Sequence, residues 1–456
     1  MKAGKEIHME EGPIGKTLLL YSAPILFSQI LQQLYYMADC AVVGHFGGAY
    51  GLAATGVAGL ILSVMVNFFI GFSTGVSAVT ARLFGARKNE ELKRTIATVM
   101  YISIVTGAIL MVLGIRSAEF LLKALRCPPG VLDLAVRYLK ICFFGMIPQL
   151  IYNSGNAILR SLGNTAATLR FLLISSMSNL VLDLLLVVGA GKGLEGAAWA
   201  TVLAQGMLAF LILWKMGTMD SSYRLSFRQK MLTIQKQKEL FALGIPSGMQ
   251  AVFMSISSLV IQISINQCGA AAVAGMTVFA KVEGFLYYPA FSYGMALTGF
   301  IGQNLGAGKT ERVEKAMKTS VKLAVGFTVP TSALLMFLSK ILLLGFTKDP
   351  AILANGQEAI FFIFPFYFLY SINQVYIGGL KGLGNSTYPM LCSLLCYCVF
   401  RVLWCWLLLP FVKSMVVIYT CYDASWILML PLLMLRYYSV YRAYEEKRGG
   451  LLEKYS

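Results

Sequence analysis

Charge is scarce in this chain: Asp, Glu, Lys and Arg make up only 13% of its 456 residues, where soluble domains carry about a quarter. Too few charged side chains remain to clothe a water-facing surface, which excludes an ordinary soluble globule. Histidine is nearly absent, with two in the whole chain, and the nine cysteines form no CxxC pair. Cys392, Cys396, Cys398 and Cys405 sit among apolar residues instead, which reads as core thiols rather than a zinc or disulfide framework. No Walker A sequence and no HExxH motif occurs, so ATP drive and zinc hydrolysis find no support. No catalytic constellation is present, and neither an enzyme nor a cofactor is expected. Met1 to Lys16 lacks an apolar core before a small-residue cleavage site, so no removable signal peptide is expected and the first helix serves as its own anchor.

What the chain has is apolar length. Hydrophobic residues account for 57% of it, and stretches long enough to cross a hydrocarbon core of about 30 Å recur from end to end. They lie near 17–44, 51–81, 95–115, 134–157, 167–188, 194–215, 237–268, 272–301, 318–339, 353–378, 387–411 and 414–436, which predicts twelve transmembrane helices. The net charge of +17 could suggest a nucleic-acid partner, but its distribution argues for topology. With the N-terminus taken as cytoplasmic, 27 of the 38 Lys and Arg fall in inner segments, nine in outer ones, and Lys281 and Arg401 in the bilayer. The positive-inside rule then puts both termini in the cytoplasm and leaves no role for nucleic acid.

The sequence repeats itself. Leu83-Phe-Gly-Ala-Arg-Lys88 matches Asn304-Leu-Gly-Ala-Gly-Lys309, Leu159-Arg-Ser-Leu-Gly-Asn-Thr165 matches Leu380-Lys-Gly-Leu-Gly-Asn-Ser386, and Pro24 matches Pro246, all at an offset of about 221 residues. An offset of six helices makes the halves parallel repeats related by an axis along the membrane normal. The expected domains are an N-lobe over 1–216, a polar and basic cytoplasmic linker over 217–236, and a C-lobe over 237–456 that includes a cytoplasmic tail, with a central cleft. The Gly-Asn-Thr/Ser elements themselves suit tight turns between antiparallel helices.

Ionisable groups inside a bilayer cost about 2.5–3.5 kcal/mol on insertion scales and are usually kept for function. Asp39, Asp183 and Thr201 each fall roughly 8–11 Å below the outer surface at 1.5 Å of rise per residue, and Asn179 shares a helix face with Asp183. Two carboxylates, an amide and a hydroxyl suit Na⁺, or equally a proton shared between acids. Taken singly, Asp39 could be a hydrated interfacial carboxylate, and Asn179 and Thr201 ordinary interhelical bonds. In the second half Ile261 stands opposite Asp39, and Leu403 or Trp404 opposite Asp183, so such a site is confined to the N-lobe. Arg401 and Asp423, at similar depth, are expected to form a structural ion pair, with substrate contact the alternative. Glu283 lies near mid-membrane and is a candidate for a cationic substrate. Tyr36, Asn153, Asn156, Tyr287 and Asn373 are the further cleft candidates, set against the simpler reading of aromatic belt and packing.

At this point the residues resemble a known family. Pro24 with Met37-Ala-Asp39-Cys-Ala-Val-Val-Gly44, Gln303-Asn-Leu-Gly-Ala-Gly308, Ser178-Asn179-Leu-Val-Leu-Asp183 and Gly193-Leu-Glu-Gly-Ala-Ala-Trp-Ala-Thr201 look like a multidrug and toxic compound extrusion (MATE) transporter of the DinF-like bacterial subfamily, over about residues 12 to 440. The resemblance implies an all-α integral membrane protein, with twelve helices in two pseudo-symmetric six-helix lobes forming a V. It implies an antiporter of the cytoplasmic membrane that exports amphiphilic, mostly cationic small molecules in exchange for H⁺ or Na⁺ by alternating access. Asp39, Asn179, Asp183 and Thr201 match the subfamily's N-lobe cation site, and Pro24 matches a proline at which the first helix bends. Membrane lipid and small-molecule substrates are the expected partners of a monomer. A lipid-linked oligosaccharide flippase is the nearest rival, disfavoured by twelve spans and only two intramembrane basic residues; a channel is the more distant one.

Overall fold

The computed structural model describes residues 7–46, 48–125, 127–412 and 414–453. The expectations resting on Lys2, Lys5, Arg126, Lys413 and Lys454, and on the absence of a signal peptide in the first six residues, lie outside the described residues. Helices α1 to α16 account for nearly all of the described chain, and it contains no strand.

The repeat is visible in the backbone. Gly85 and Gly306 end α2 (Gly48–Gly85) and α9 (Ala270–Gly306), and Asn89 and Thr310 begin α3 (Asn89–Ala124) and α10 (Thr310–Phe337). Ser161 and Gly382 end α5 (Met146–Ser161) and α13 (Tyr367–Gly382), so each of these pairs is 221 residues apart. Gly163 and Gly384 both turn with φ +84, and in each turn the following Asn donates its N–H to the Leu carbonyl five residues back, at 2.8 Å. That left-handed conformation suits glycine because it has no Cβ to clash.

Among the described residues, eleven helices are long and apolar enough to cross a membrane. The expected fourth span is the exception, because it is broken. Its two pieces, α4 (Pro129–Phe144) and α5, meet at Gly145, and Pro148 just beyond cannot donate the N–H that would carry the helix smoothly across. In the other half a 3₁₀ turn at Phe364–Phe366, containing Pro365, joins α12 (Pro350–Ile363) to α13 at the corresponding place. With the broken helix counted as one crossing, the fold is the twelve-helix one expected. Large apolar side chains such as Phe337 and Phe411, each 86% exposed, point outward from these helices, as lipid-facing residues do.

The fifth helix of each half is also irregular. A π-helical stretch, Leu184–Gly189, follows α6 (Thr165–Asp183), and another, Leu394–Val399, lies between α14 (Thr387–Ser393) and α15 (Phe400–Val412). Insertions of this kind recur at functional sites because the wider turn re-aims the side chains beside it.

The chain divides into two compact units, Met1–His8 with Pro24–Leu240, and Met9–Ala23 with Phe241–Ser456. The division falls within α1 (Ile14–Phe46), at Pro24. In the second unit, residues 9–12 are clasped onto the end of α9 and the start of α10. The Met9 N–H donates to Gln303 Oε1 at 3.0 Å, and Arg312 donates to the carbonyls of Met9, Glu11 and Gly12 at 3.0–3.2 Å. In the first unit the basic segment 217–236 packs along α3. The Leu232 N–H donates to Thr98 Oγ1 at 2.9 Å, and Lys236 pairs with Glu91. Lys381 is buried in the last turn of α13.

Candidate functional site

In the first unit Asp183 closes α6 immediately before the π-helical stretch and is only 1% exposed. Asn179, one turn earlier on the same face, is oriented so that its Nδ2 donates to Asp183 Oδ2 at 2.9 Å while its oxygen accepts the Thr201 N–H at 3.2 Å. Thr201 lies on α7 (Gly193–Gly217), and its hydroxyl accepts a bond from the Tyr35 hydroxyl at 3.4 Å. The three elements α1, α6 and α7 thus meet through Tyr35, Thr201, Asn179 and Asp183. Asp39, one turn beyond Tyr35 on α1, is within electrostatic reach of Asp183. Among the described residues, Oδ1 of Asp39 and Oδ1 of Asp183 are buried without a hydrogen-bond partner. Buried carboxylate oxygens in that condition are costly unless something positive, a proton or a cation, reaches them.

Tyr35 was not placed at the site by sequence. Its signal was the four-residue spacing to Asp39, which puts the hydroxyl and carboxylate on one helix face. Tyr36, one residue on, is half exposed and its ring lies 5.5 Å from that of Tyr35. On α5 the Asn156 amide donates to the Tyr152 hydroxyl at 3.2 Å, and Asn153 Nδ2 is buried without a partner. No group of three or more His, Cys, Asp or Glu is gathered among the described residues, so any cation here would depend on amide and hydroxyl oxygens as well as the two carboxylates.

In the second unit the expected ion pair does not form. Arg401 Nε donates to Ser425 Oγ at 2.9 Å, and among the described residues no carboxylate pairs with its guanidinium. The reason is rotation about the helix. Asp423 and Ser425 are two residues apart on α16 (Val416–Glu453), about 200° around its axis, so Ser425 takes the guanidinium bond and Asp423 stays within electrostatic reach of Arg401 without pairing with it. Glu283, on α9, accepts the Tyr367 hydroxyl at 3.0 Å, and Tyr287 stacks on Tyr370 at 5.7 Å. Asn373 faces no open space: it is 0% exposed, and its Nδ2 donates to the Trp426 carbonyl at 3.1 Å.

Duplicated bundles of apolar helices, with carboxylate oxygens buried and unpartnered within them among the described residues, define a polytopic membrane transporter. The MatE family model matches residues 24–185 and again 246–407, once per repeat. The chain belongs to the MatE family of multidrug efflux transporters. It is 25% identical over 405 residues to the "Probable multidrug resistance protein YpnP" of Bacillus subtilis, covering 87% of this chain and 89% of that one. It is 26% identical over 392 residues to the "Probable multidrug resistance protein NorM" of Thermotoga maritima, covering 84% and 83%. A solved structure described as the outward-facing conformation of a multidrug resistance MATE family transporter superposes with a TM-score of 0.87 at 21% identity, over 96% of this chain and 99% of that one.

Proposed function

We propose that this chain is a secondary active antiporter that exports amphiphilic, mostly cationic compounds in exchange for H⁺ or Na⁺ by alternating access, as a monomer in the cytoplasmic membrane with both termini inside. The observation that supports coupling is the pair of buried carboxylates, Asp39 and Asp183, each with an oxygen left without a partner and the two within electrostatic reach of each other. A proton or Na⁺ arriving from outside neutralises that pair; Asn179 and Thr201 fix its geometry; and α1, carrying Asp39, rearranges about Pro24, where proline omits a helix hydrogen bond. DinF-like membership is part of the same reading and rests on the Asn179-to-Asp183 element together with Gln303-Asn-Leu-Gly-Ala307.

The test is reconstitution in liposomes with separately imposed proton and sodium gradients and a panel of cationic dyes. Dye movement should follow one of the two gradients, and Asp39→Asn or Asp183→Asn should abolish it. Full gradient-driven export by both variants would overturn the reading.

A further inference from the structure

The second unit holds a buried cation that the ion-coupling reading does not use. Arg401 is only 8% exposed. Its guanidinium carbon lies 4.7 Å from the centre of the Tyr397 ring and 4.5 Å from that of Tyr422, so two aromatic faces hold it. Of its five N–H donors, only Nε has an acceptor among the described residues, namely Ser425. The two Nη groups, the bidentate end of the fork, have none. Leaving a charged group this deep with most of its donors unmet is unfavourable unless an acceptor arrives from elsewhere.

The surroundings indicate what would arrive. Among the described residues Tyr397 Oη and Trp426 Nε1 are also buried without partners, and the indole N–H can only donate. The rings form a continuous aromatic wall, with Trp426 5.5 Å from Tyr370 and Tyr370 5.7 Å from Tyr287. Glu283 and Asp423 both lie within electrostatic reach of Arg401, and Glu283 keeps one oxygen on the Tyr367 hydroxyl at 3.0 Å. Spare donors around a planar cation, flat ring faces and a carboxylate therefore lie in one unit. The π-helical turn ending at Val399, two residues before Arg401, is the local distortion that accompanies this placement.

We propose that Arg401 is the receptor for the anionic group of aromatic zwitterions: its Nη groups take a carboxylate or phosphate side by side, the partly exposed Tyr287 and Tyr422 take the ring, and Glu283 faces the cationic end. Planar two-point recognition of an oxyanion is what arginine does and lysine does not. This rests on the reading of the chain as an exporter of amphiphilic compounds and narrows its cargo. Cations alone would leave Arg401 unanswered.

The test uses a matched pair of probes, a cationic rhodamine ethyl ester and its free carboxylic acid, which is a zwitterion near neutral pH with the same ring system. Each is titrated by fluorescence polarisation into the purified full-length protein in detergent, with no gradient. The wild type should bind the free acid about tenfold more tightly than the ester, the scale of a charge-assisted hydrogen-bonded pair. Arg401→Gln should erase that preference, the acid then binding no more tightly than the ester, and Arg401→Lys, which keeps the charge without the fork, should lose most of it. Equal affinities in the wild type, or a preference surviving in Arg401→Gln, would show Arg401 to be an internal counter-ion of Glu283 and Asp423 and overturn the proposal. If Arg401→Gln does not elute as a folded species, Arg401→Lys decides: an undiminished preference overturns it. Because binding is read without a gradient, failure here leaves the coupling experiment intact.

Discussion

Asn179 and Asp183 are joined across one helical turn, with the amide Nδ2 donating to the carboxylate Oδ2 at 2.9 Å while the amide oxygen holds the Thr201 N–H at 3.2 Å. The amide therefore fixes one oxygen of Asp183 and leaves the other, Oδ1, without a partner. Position is supplied by Asn179, and the free valence by the acid.

Asn179→Ala should uncouple transport without unfolding the protein. It removes one bond to a buried carboxylate, worth about 1–3 kcal/mol, so gradient-driven dye export should fall at least about tenfold while the protein still elutes as a folded species. Asn179→Ser, which keeps a shorter hydrogen-bonding group, should fall between the two. Export by Asn179→Ala at the wild-type rate would show that the amide does not organise the site.

Pro24→Ala should restore the N–H that proline lacks within α1 and so stiffen the helix at the point where the two compact units divide. Exchange kinetics of α1 amides, followed by mass spectrometry, should slow around residues 20–28, and gradient-driven export should drop. Faster exchange there would contradict a role for the proline as a bend.

The contact of α9 with α13 depends on paired glycines. A Cβ at Gly378 would stand 2.1 Å from the Gly294 carbonyl oxygen, a backbone atom that cannot swing aside, whereas a Cβ at Gly326 meets nothing within 4 Å. Small residues allow such close helix approach in membranes. Gly378→Ala should therefore lower Tm by several degrees, from overpacking of about 1–3 kcal/mol, and Gly326→Ala should leave it unchanged or raise it slightly. Thermal unfolding in detergent measures both.

Arg312 is the main side chain fastening the N-terminal arm to the second unit, through the carbonyls of Met9, Glu11 and Gly12. Arg312→Ala should speed backbone amide exchange in residues 9–17 by about tenfold or more, as a local opening that costs less once those bonds are gone. The Asn164 turn, whose own backbone bond to Leu159 is untouched, should exchange as before.

Much of the fold was legible because it is written locally. Apolar length marks helices wherever it occurs, and turn chemistry at Gly163 and Gly384 marks their ends. The break at Gly145 was not legible as a break, because the apolar run from 134 to 157 passes through it, although Pro148 offered a hint. The π-helical stretches were invisible: Leu184–Gly189 and Leu394–Val399 contain no residue that forbids an ordinary helix. At the candidate site, depth gave Asp39, Asp183 and Thr201 a common layer. The same kind of estimate placed Arg401 beside Asp423, where Ser425 stands instead.

The sequence by itself determined that the chain lives in a membrane, that it is a duplicated set of six helices, and that only the first half carries the Asp39 and Asp183 carboxylates. Those properties depend on hydropathy, length and residue identity, which a one-dimensional string contains. Only the tertiary structure decided which side chains meet: that Tyr35 joins Thr201, that Asn179 bridges α6 to α7, and that Arg401 lies between two tyrosines with its Nη groups unanswered. Depth along a helix follows from counting residues, but rotation about its axis is set by packing and by each wider turn, and a rotation of 100° per residue separates a partner from a stranger.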